Sequence, residues 1–423
     1  MEDGSVHVMF LAEDFPKTRR AAGGLRVSIR RQAEELAERC RVTVAVMRPL
    51  LPPLGRYKRS RILELEREAL EIAAEEADRD EPRARGGRDG EHGMHVLEYR
   101  YLHVPVLWRI SEPLQILLLG LWIFLRHARS VDVLHAHTAY LMGLPTVLLG
   151  RLIRRPTVIT VYGLDVHWNA VGKTSVMRLL GRMALRMADR IVSVSRDLAR
   201  ACTELRVEDE RQRYVPSGVD IDQFTPPENL AELRRQLGLP VDAFVFLSTN
   251  LFTAVKDHAT LVEAFGRLHE RRSGSYLVMT GDGILRRDIE AQVHAAGLDD
   301  RVRFTGFLAY DEMPGWVAAT DVVVLPSLSE GMPLCILEGF ASGKPVVGSN
   351  VGGIPELVSE ERYGLLVPPA DPEALATAME QAMERSWDVG ILRARAEEYG
   401  WPAIADDLLQ VYEELGSRPG TGR

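Results

Sequence analysis

Seven residues separate two carboxylates, Glu330 and Glu338, in a stretch whose frame suits ligand binding. The apolar run Val322-Val323-Val324-Leu325 reads as a buried parallel strand by composition and length. Pro326 ends it. Gly331 and Pro333 mark a loop running into a helix, and Gly343 with Pro345 stops that helix. A helix N-terminus carries unpaired N–H groups and the positive end of a dipole, so it attracts an anion or a cluster of hydroxyls. Glu330 sits just before this terminus, and Glu338 lies two turns further on. With the loop folded over the helix start, both carboxylates reach one ligand along its length. Two glutamates at this spacing are common on solvated helices; the Gly/Pro frame around them gives the pair its weight.

Other strand ends add candidates. A first strand, Val6–Leu11, leads through Gly23-Gly24-Leu25-Arg26 into a helix from Val27 to about Cys40. Glycines there let backbone N–H groups approach a phosphate, although an ordinary loop reads the same way. The runs Asp132-Val133-Leu134-His135-Ala136-His137 and Val158–Val161, the latter followed by Tyr162-Gly163-Leu164-Asp165, end further strands. Open α/β sheets bind ligands beyond the carboxyl ends of their strands, which makes His135, His137, Tyr162 and Asp165 candidates for a cleft. A phenol can hydrogen-bond a sugar hydroxyl but is a poor base near neutral pH. Asp78-Arg79-Asp80 has the form of a metal motif, yet it lies in low-complexity sequence and reads as solvated charge.

These residues need a scaffold. With 423 residues, the chain suits two or three domains with ample core. A net charge of −8 argues against a general nucleic-acid binder. The halves differ: residues 1–220 carry 35 Lys+Arg and 29 Asp+Glu, and residues 221–423 carry 17 and 31. A basic half can face an anionic surface while an acidic half faces away. Cys40, Cys202 and Cys335 form neither a metal spacing nor a disulfide framework, which points to a reducing compartment. The start reads as lacking a signal peptide, since its apolar run is short. A second strand is expected over Val42–Met47. Residues 49–94 read as an irregular, partly mobile insertion, with a charged helix over Arg61–Ala77 and a later strand at Val96–Tyr101. Pro113–Leu125 is the most apolar segment. It favours a core helix feeding a strand at Val131–Leu134 over a helix lying at a membrane interface. A second α/β series begins after Pro227, with Phe244–Thr249 as its first strand.

The block Pro326–Val347, continued by Asn350-Val351-Gly352-Gly353-Ile354-Pro355-Glu356, resembles the donor-binding signature of retaining glycosyltransferases of family 4, the glycosyl transferases group 1. Asp132–His137, Asp189–Ser195 and Val215-Pro216-Ser217-Gly218-Val219-Asp220 through Pro227 resemble further motifs of that family. The likeness covers nearly the whole chain except about 49–94. It implies an α/β fold of the GT-B type, with two Rossmann-like domains facing across a cleft. Residues 1–220 would form the acceptor domain and 221–400 the nucleotide-sugar donor domain. Residues 401–423 would hold a C-terminal helix returning to the first domain. The implied reaction moves a sugar from a nucleotide diphosphate sugar to an acceptor hydroxyl with retention, in cell-envelope glycan or glycolipid synthesis.

By the same resemblance Glu330 would hold the sugar hydroxyls with the amides of Gly331, Met332 and Leu334, Pro333 having no N–H to give. Glu338 would bind the ribose, and Lys256 the pyrophosphate. Asn250 stands where the family places an Arg. Gly23 and Gly24 would lie between donor phosphates and acceptor, and Gly306 and Phe307 near the base. Tyr162 stands where many members have His and joins Glu330 in the catalytic set; Asp165, His137 and Arg26 join it on the acceptor side. No metal or other cofactor is expected, because no metal-ligand cluster sits at any predicted strand end; the resemblance implies a same-face substitution in which the leaving phosphate helps deprotonate the acceptor. The implied partners are a nucleotide sugar and a sugar or lipid-linked acceptor, with no nucleic acid. The cysteines point to the cytoplasm as the place, and the charge split with the apolar Pro113–Leu125 segment, not the resemblance, raises the expectation of peripheral contact with the anionic inner face of the membrane. Two alternatives stand beside this reading: a nucleotide-sugar epimerase on the same scaffold, and a non-catalytic sugar-nucleotide-binding partner subunit.

Overall fold

The computed structural model describes residues 6–12, 15, 24–50, 88–89, 94–102, 108–127, 129–163, 165–167 and 175–416. The helix expected over Arg61–Ala77, the motif Asp78-Arg79-Asp80 and Gly23 lie outside the described residues.

Two sheets organise the chain. The first contains β1 (His7–Ala12), β2 (Arg41–Leu50), β3 (Arg88–Asp89), β4 (Met94–Leu102), β5 (Val133–His137), β6 (Thr157–Val161), β7 (Arg190–Ser193) and β8 (Gln212–Tyr214). Their order is β3-β4-β2-β1-β5-β6-β7-β8, parallel throughout except for the short antiparallel β3. The second sheet contains β9 (Phe244–Thr249), β10 (Ser275–Thr280), β11 (Val302–Gly306), β12 (Val322–Leu325), β13 (Val346–Ser349) and β14 (Gly364–Val367). It runs β11-β10-β9-β12-β13-β14 and is wholly parallel. Parallel strands buried on both faces need continuous apolar runs, and Val322–Leu325 and Val346-Val347 supply them. In the first sheet the chain winds outward from β1 through β2 and β4, then reverses to β5. In the second it winds from β9 through β10 and β11, then reverses to β12. Each reversal opens a crevice at the strands' carboxyl ends, beside β1/β5 and beside β9/β12. The fold is that of two Rossmann-like domains.

Side chains alternate across β1. Val8 and Phe10 pack with Ile29 and Leu36 of the helix Leu25–Ala37 and with Trp401, Leu408 and Tyr412 of the helix Trp401–Gly416. Met9 and Leu11 face the other layer, with Ile116, Ile123 and Leu149. The last helix therefore returns to the first sheet. Trp401 seats itself against Gly218, where an added Cβ would come within 2.6 Å of its ring. The Val219 N–H donates to the Tyr399 carbonyl at 2.9 Å, which ties the connection between the sheets to the turn before that helix.

Two expectations shift. The strand expected at Val131–Leu134 runs instead over Val133–His137, so both histidines belong to it. The apolar segment around Pro113–Leu125 lies in a longer helix, Trp108–His127. One side of it is core, at Ile116, Gly120 and Ile123; the other leaves Leu114, Leu118, Trp122 and Leu125 exposed. No helix among the described residues is long and apolar enough to cross a membrane.

Candidate active-site cleft

Glu330 stands beyond β12, at the second sheet's reversal. Its Oε1 accepts hydrogen bonds from Lys256 Nζ and Ser327 Oγ, both at 2.6 Å. Lys256 ends a short 3-10 turn, Ala254–Lys256, that follows β9. Asp257 comes next at φ +46° and caps the helix His258–Arg271. The loops after neighbouring strands β9 and β12 thus meet through this ion pair, and the Leu328 N–H adds a bond to the Val255 carbonyl at 2.8 Å.

Across the cleft the same loop touches the first domain. A Cβ on Gly331 would lie 1.9 Å from the Tyr162 carbonyl oxygen, so only glycine allows this approach. Gly352, at φ +56°, lies equally close to the Glu330 carbonyl. The Ser217 N–H donates to Met332 Sδ at 3.3 Å. Glu330 is therefore held between two loops and the opposing domain. The helix Leu334–Ala341 starts after Pro333 with no side chain capping it, and its Ile336 N–H turns back to the Pro333 carbonyl at 3.2 Å. Glu338 is buried within this helix, and burial pushes its carboxyl up to about 7.

Asn250 and Gly306 lie at the ends of β9 and β11. Buried Asn250 Nδ2 has no hydrogen-bond partner. Arg286, which the sequence reading missed, donates to the Gly281 carbonyl at 3.2 Å and pairs with Glu290. Its only sequence signal was a position just after Gly281-Asp282-Gly283. Gly306 takes φ +77°, and Phe307 is 42% exposed rather than packed in the core. Replacing Asn250 with Arg is expected to tighten nucleoside diphosphate binding about tenfold, since one charge-assisted contact is worth roughly 1.5–3 kcal/mol. Titration calorimetry checks this; unchanged or weaker binding removes Asn250 from the phosphate set.

On the first domain's side, His137 Nδ1 lies 2.8 Å from the Tyr162 hydroxyl. Burial drives the Tyr162 pKa far above that of free tyrosine. His137 is held neutral by burial and by neighbouring His135, and its buried Nε2 has no partner. Gly24 caps the helix Leu25–Ala37 at φ +51°, and Arg26 is half-buried in that helix's first turn.

Two candidates sit differently from the expectation. His135 lies inside β5, bonded to Tyr412 Oη and Thr160 Oγ1 at 2.7 Å each, with its pKa lowered by burial to about 3. It pins the returning helix. Buried Asp165 accepts from the Ala139 and Tyr162 N–H groups at 3.2 and 3.1 Å. That makes it a brace between the ends of β5 and β6, with its oxygens already engaged by backbone.

Glu356 bridges the two domains, a part not visible in sequence. Its two oxygens accept from the N–H groups of Arg196 and Asp197 at 2.9 Å each. These residues open the helix Arg196–Glu204 of the first domain, where Ser195 Oγ caps Leu198. A carboxylate from one domain thus satisfies the helix start of the other. Glu356→Ala is expected to loosen domain closure by about tenfold, at roughly 1–2 kcal/mol for the charge-assisted bonds. A larger radius of gyration by X-ray scattering and a lower kcat/KM would report it.

These features define a two-domain Rossmann-type protein whose cleft lies between opposed strand reversals. Residues 242–385 match the glycosyl transferases group 1 family, and residues 23–218 match the glycosyl transferase 4-like domain. The D-inositol 3-phosphate glycosyltransferase of Xylanimonas cellulosilytica is 31% identical over 307 residues, which cover 68% of this chain and 73% of that one. The alpha-monoglucosyldiacylglycerol synthase of Streptococcus pneumoniae is 28% identical over 247 residues, 56% of each chain. The crystal structure of Anabaena Alr3699/HepE in complex with UDP superposes with a TM-score of 0.71 at 18% identity, covering 97% of this chain and all of that one. The chain belongs to the glycosyl transferases group 1, family 4, and has their GT-B architecture. Membership weighs against the epimerase alternative.

Proposed function

We propose that this glycosyltransferase moves a hexosyl unit from a nucleotide diphosphate sugar to an acceptor hydroxyl with retention, in cell-envelope glycan or glycolipid synthesis. The observation that carries this reading is the Lys256–Glu330 pair at the β9/β12 reversal, set against Tyr162 and Gly163 of the other domain. A cation beside a carboxylate at a strand-end crevice suits a pyrophosphate joined to a sugar.

In this reading residues 1–220 hold the acceptor and residues 221–400 the donor, while 401–423 return to the first domain. Lys256 and the Asn250 amide bind the pyrophosphate, and Gly23 and Gly24 approach it from the other side. Glu330 and the amides of Gly331, Met332 and Leu334 hold the sugar. Glu338 holds the ribose, and Gly306 and Phe307 border the base. Tyr162, His137 and Arg26 border the acceptor, which is a sugar or a lipid-linked sugar. The bond from the anomeric carbon to the β-phosphate oxygen breaks as the acceptor oxygen bonds on the same face. The acceptor's proton passes to the departing phosphate. Tyr162 orients a hydroxyl and does not act as a base, given its raised pKa. The three buried free cysteines suit the reducing cytoplasm as the place of work.

A thermal-shift screen over UDP-, GDP- and ADP-sugars should find the donor, and NMR of the product should show the donor's anomeric configuration. Turnover should persist in EDTA, because this chemistry needs no resident metal. An inverted product would overturn retention. Loss of turnover in EDTA, restored by Mg²⁺ or Mn²⁺, would overturn the metal-free step. Donor binding without turnover on any acceptor would favour the non-catalytic partner subunit.

A further inference from the structure

Three helices cover the layer of the first sheet opposite the returning helix: Trp108–His127, Leu144–Ile153 and Ser175–Met187. They pack side by side in that order. Gly120 lets the first two approach closely, since an added Cβ would lie 3.0 Å from Leu149. Their outward side is apolar. Leu114, Leu118, Trp122 and Leu125 line the first helix at helical spacing, Leu148 and Leu152 the second, and Leu179 and Met183 the third. Of the 13 large apolar side chains exposed among the described residues, these eight lie on this one face. Leu118, Leu152 and Leu179 are each more than half exposed, at 58%, 62% and 57%. An apolar face this concentrated on an otherwise ordinary surface marks an interaction site.

Charge identifies the partner. Residues 108–187 carry ten Lys and Arg against three Asp and Glu. Of the three acids, Asp132 accepts from the His7 N–H, and Asp165 braces the strand ends. Arg126 and Arg129 stand at the end of the first helix, Arg151, Arg154 and Arg155 at the end of the second, and Arg178, Arg182 and Arg186 along the third. A second copy of this face would set arginines against arginines. An acidic protein partner would match the charge but has no need of the leucine stripe. A bilayer with anionic headgroups answers both: acyl chains take the leucines and Trp122, and the headgroups take the guanidinium groups.

We propose that this three-helix face docks flat on an anionic lipid bilayer. The sequence alone favoured a core helix for its first member. The fold shows the other half: Ile116, Gly120 and Ile123 are buried on the sheet side with Leu117, Leu119, Leu121 and Phe124 packed at its flanks, and Trp122 touches Tyr99 and His127 edge-on, while Leu114, Leu118, Trp122 and Leu125 stay exposed among the described residues. The surface is separate from the cleft, so its test needs no turnover and stands or falls apart from the sugar chemistry.

The test is co-sedimentation of the full chain with phosphatidylglycerol-rich vesicles and with pure phosphatidylcholine vesicles, at low and high salt. Binding is expected to the anionic vesicles at low salt and to weaken as salt rises. Leu118→Ser with Trp122→Ser, and separately Arg151→Glu with Arg154→Glu and Arg155→Glu, should each weaken partitioning at least about tenfold. The control Val241→Ser, exposed on the other domain, should not change it. Melting curves confirm that each variant folds. With brominated lipid, Trp fluorescence should be quenched in the parent and spared in Trp122→Phe. Absence of binding at low salt, or binding that both variant sets leave intact, overturns the proposal. So does a stable dimer in lipid-free sedimentation that Leu118→Ser with Trp122→Ser dissociates, because the face would then belong to a second copy.

Discussion

Glu330→Ala is expected to lower kcat by about 10²–10³-fold while leaving affinity for the bare nucleoside diphosphate unchanged or tighter. The geometry sets both halves of this result. Glu330 is fixed before any ligand arrives, with Lys256 and Ser327 on one oxygen and its backbone wedged between Gly352 and, through Gly331, the Tyr162 carbonyl. A carboxylate so fixed favours positive charge developing on the sugar ring without reorganising, which lowers the barrier without tightening the ground state. The bare nucleotide lacks the sugar, so it loses nothing when Glu330 goes. It gains a Lys256 ammonium released from its partner. Steady-state rates with the sugar donor and calorimetry with the bare nucleotide make the comparison. Glu330→Gln keeps the shape and removes the charge, so it should share the loss in kcat. Were Glu330→Ala and Glu338→Ala to weaken the bare nucleotide equally, the loop would not be arranged around the donor as proposed.

The parts of this cleft that sequence revealed are local ones. Strand, turn and helix follow one another within about twenty residues around Glu330, and apolar runs, prolines and glycines mark each boundary. The parts it hid depend on partners far along the chain. Lys256 and Glu330 are 74 positions apart, and Glu356 reaches back 160 positions to the Arg196 N–H. Asp165 reads as a cleft carboxylate until the fold brings the Ala139 N–H against it. His135 looked equivalent to His137 because the two alternate with Ala136. The returning helix, 277 positions on, supplies the tyrosine that occupies one and not the other. The helix Trp108–His127 shows the same limit: its composition declares it apolar, but only the sheet beneath decides which side is covered.

Glu338 gives the second large effect, and its sign follows from burial. Desolvation raises its carboxyl from the ordinary 4.5 to about 7 in the folded protein. Between those values the unfolded chain has lost the proton and the folded chain keeps it, so stability falls as pH rises from about 4.5 through 7. Above about 7 the folded protein carries a buried, ionised carboxylate. Glu338→Gln removes that burden, so this variant should melt several degrees above the parent at about pH 8 and level with it at about pH 5. Nucleotide-sugar binding should show the opposite slope. Ribose hydroxyls donating to the carboxylate favour its ionised form, so binding expels the proton and tightens as pH rises, levelling off above about 7. A nucleotide sugar is the right probe because its phosphate diesters do not titrate in this window, unlike a terminal phosphate. Neither do the buried histidines, since burial lowers His7 and His258 to about 4 and His135 to about 3. Calorimetry in two buffers of different ionisation enthalpy should therefore register up to about one proton released near pH 6 in the parent and none in Glu338→Gln. Affinity that stays flat across the range, or proton release that survives the substitution, would place the ribose away from Glu338.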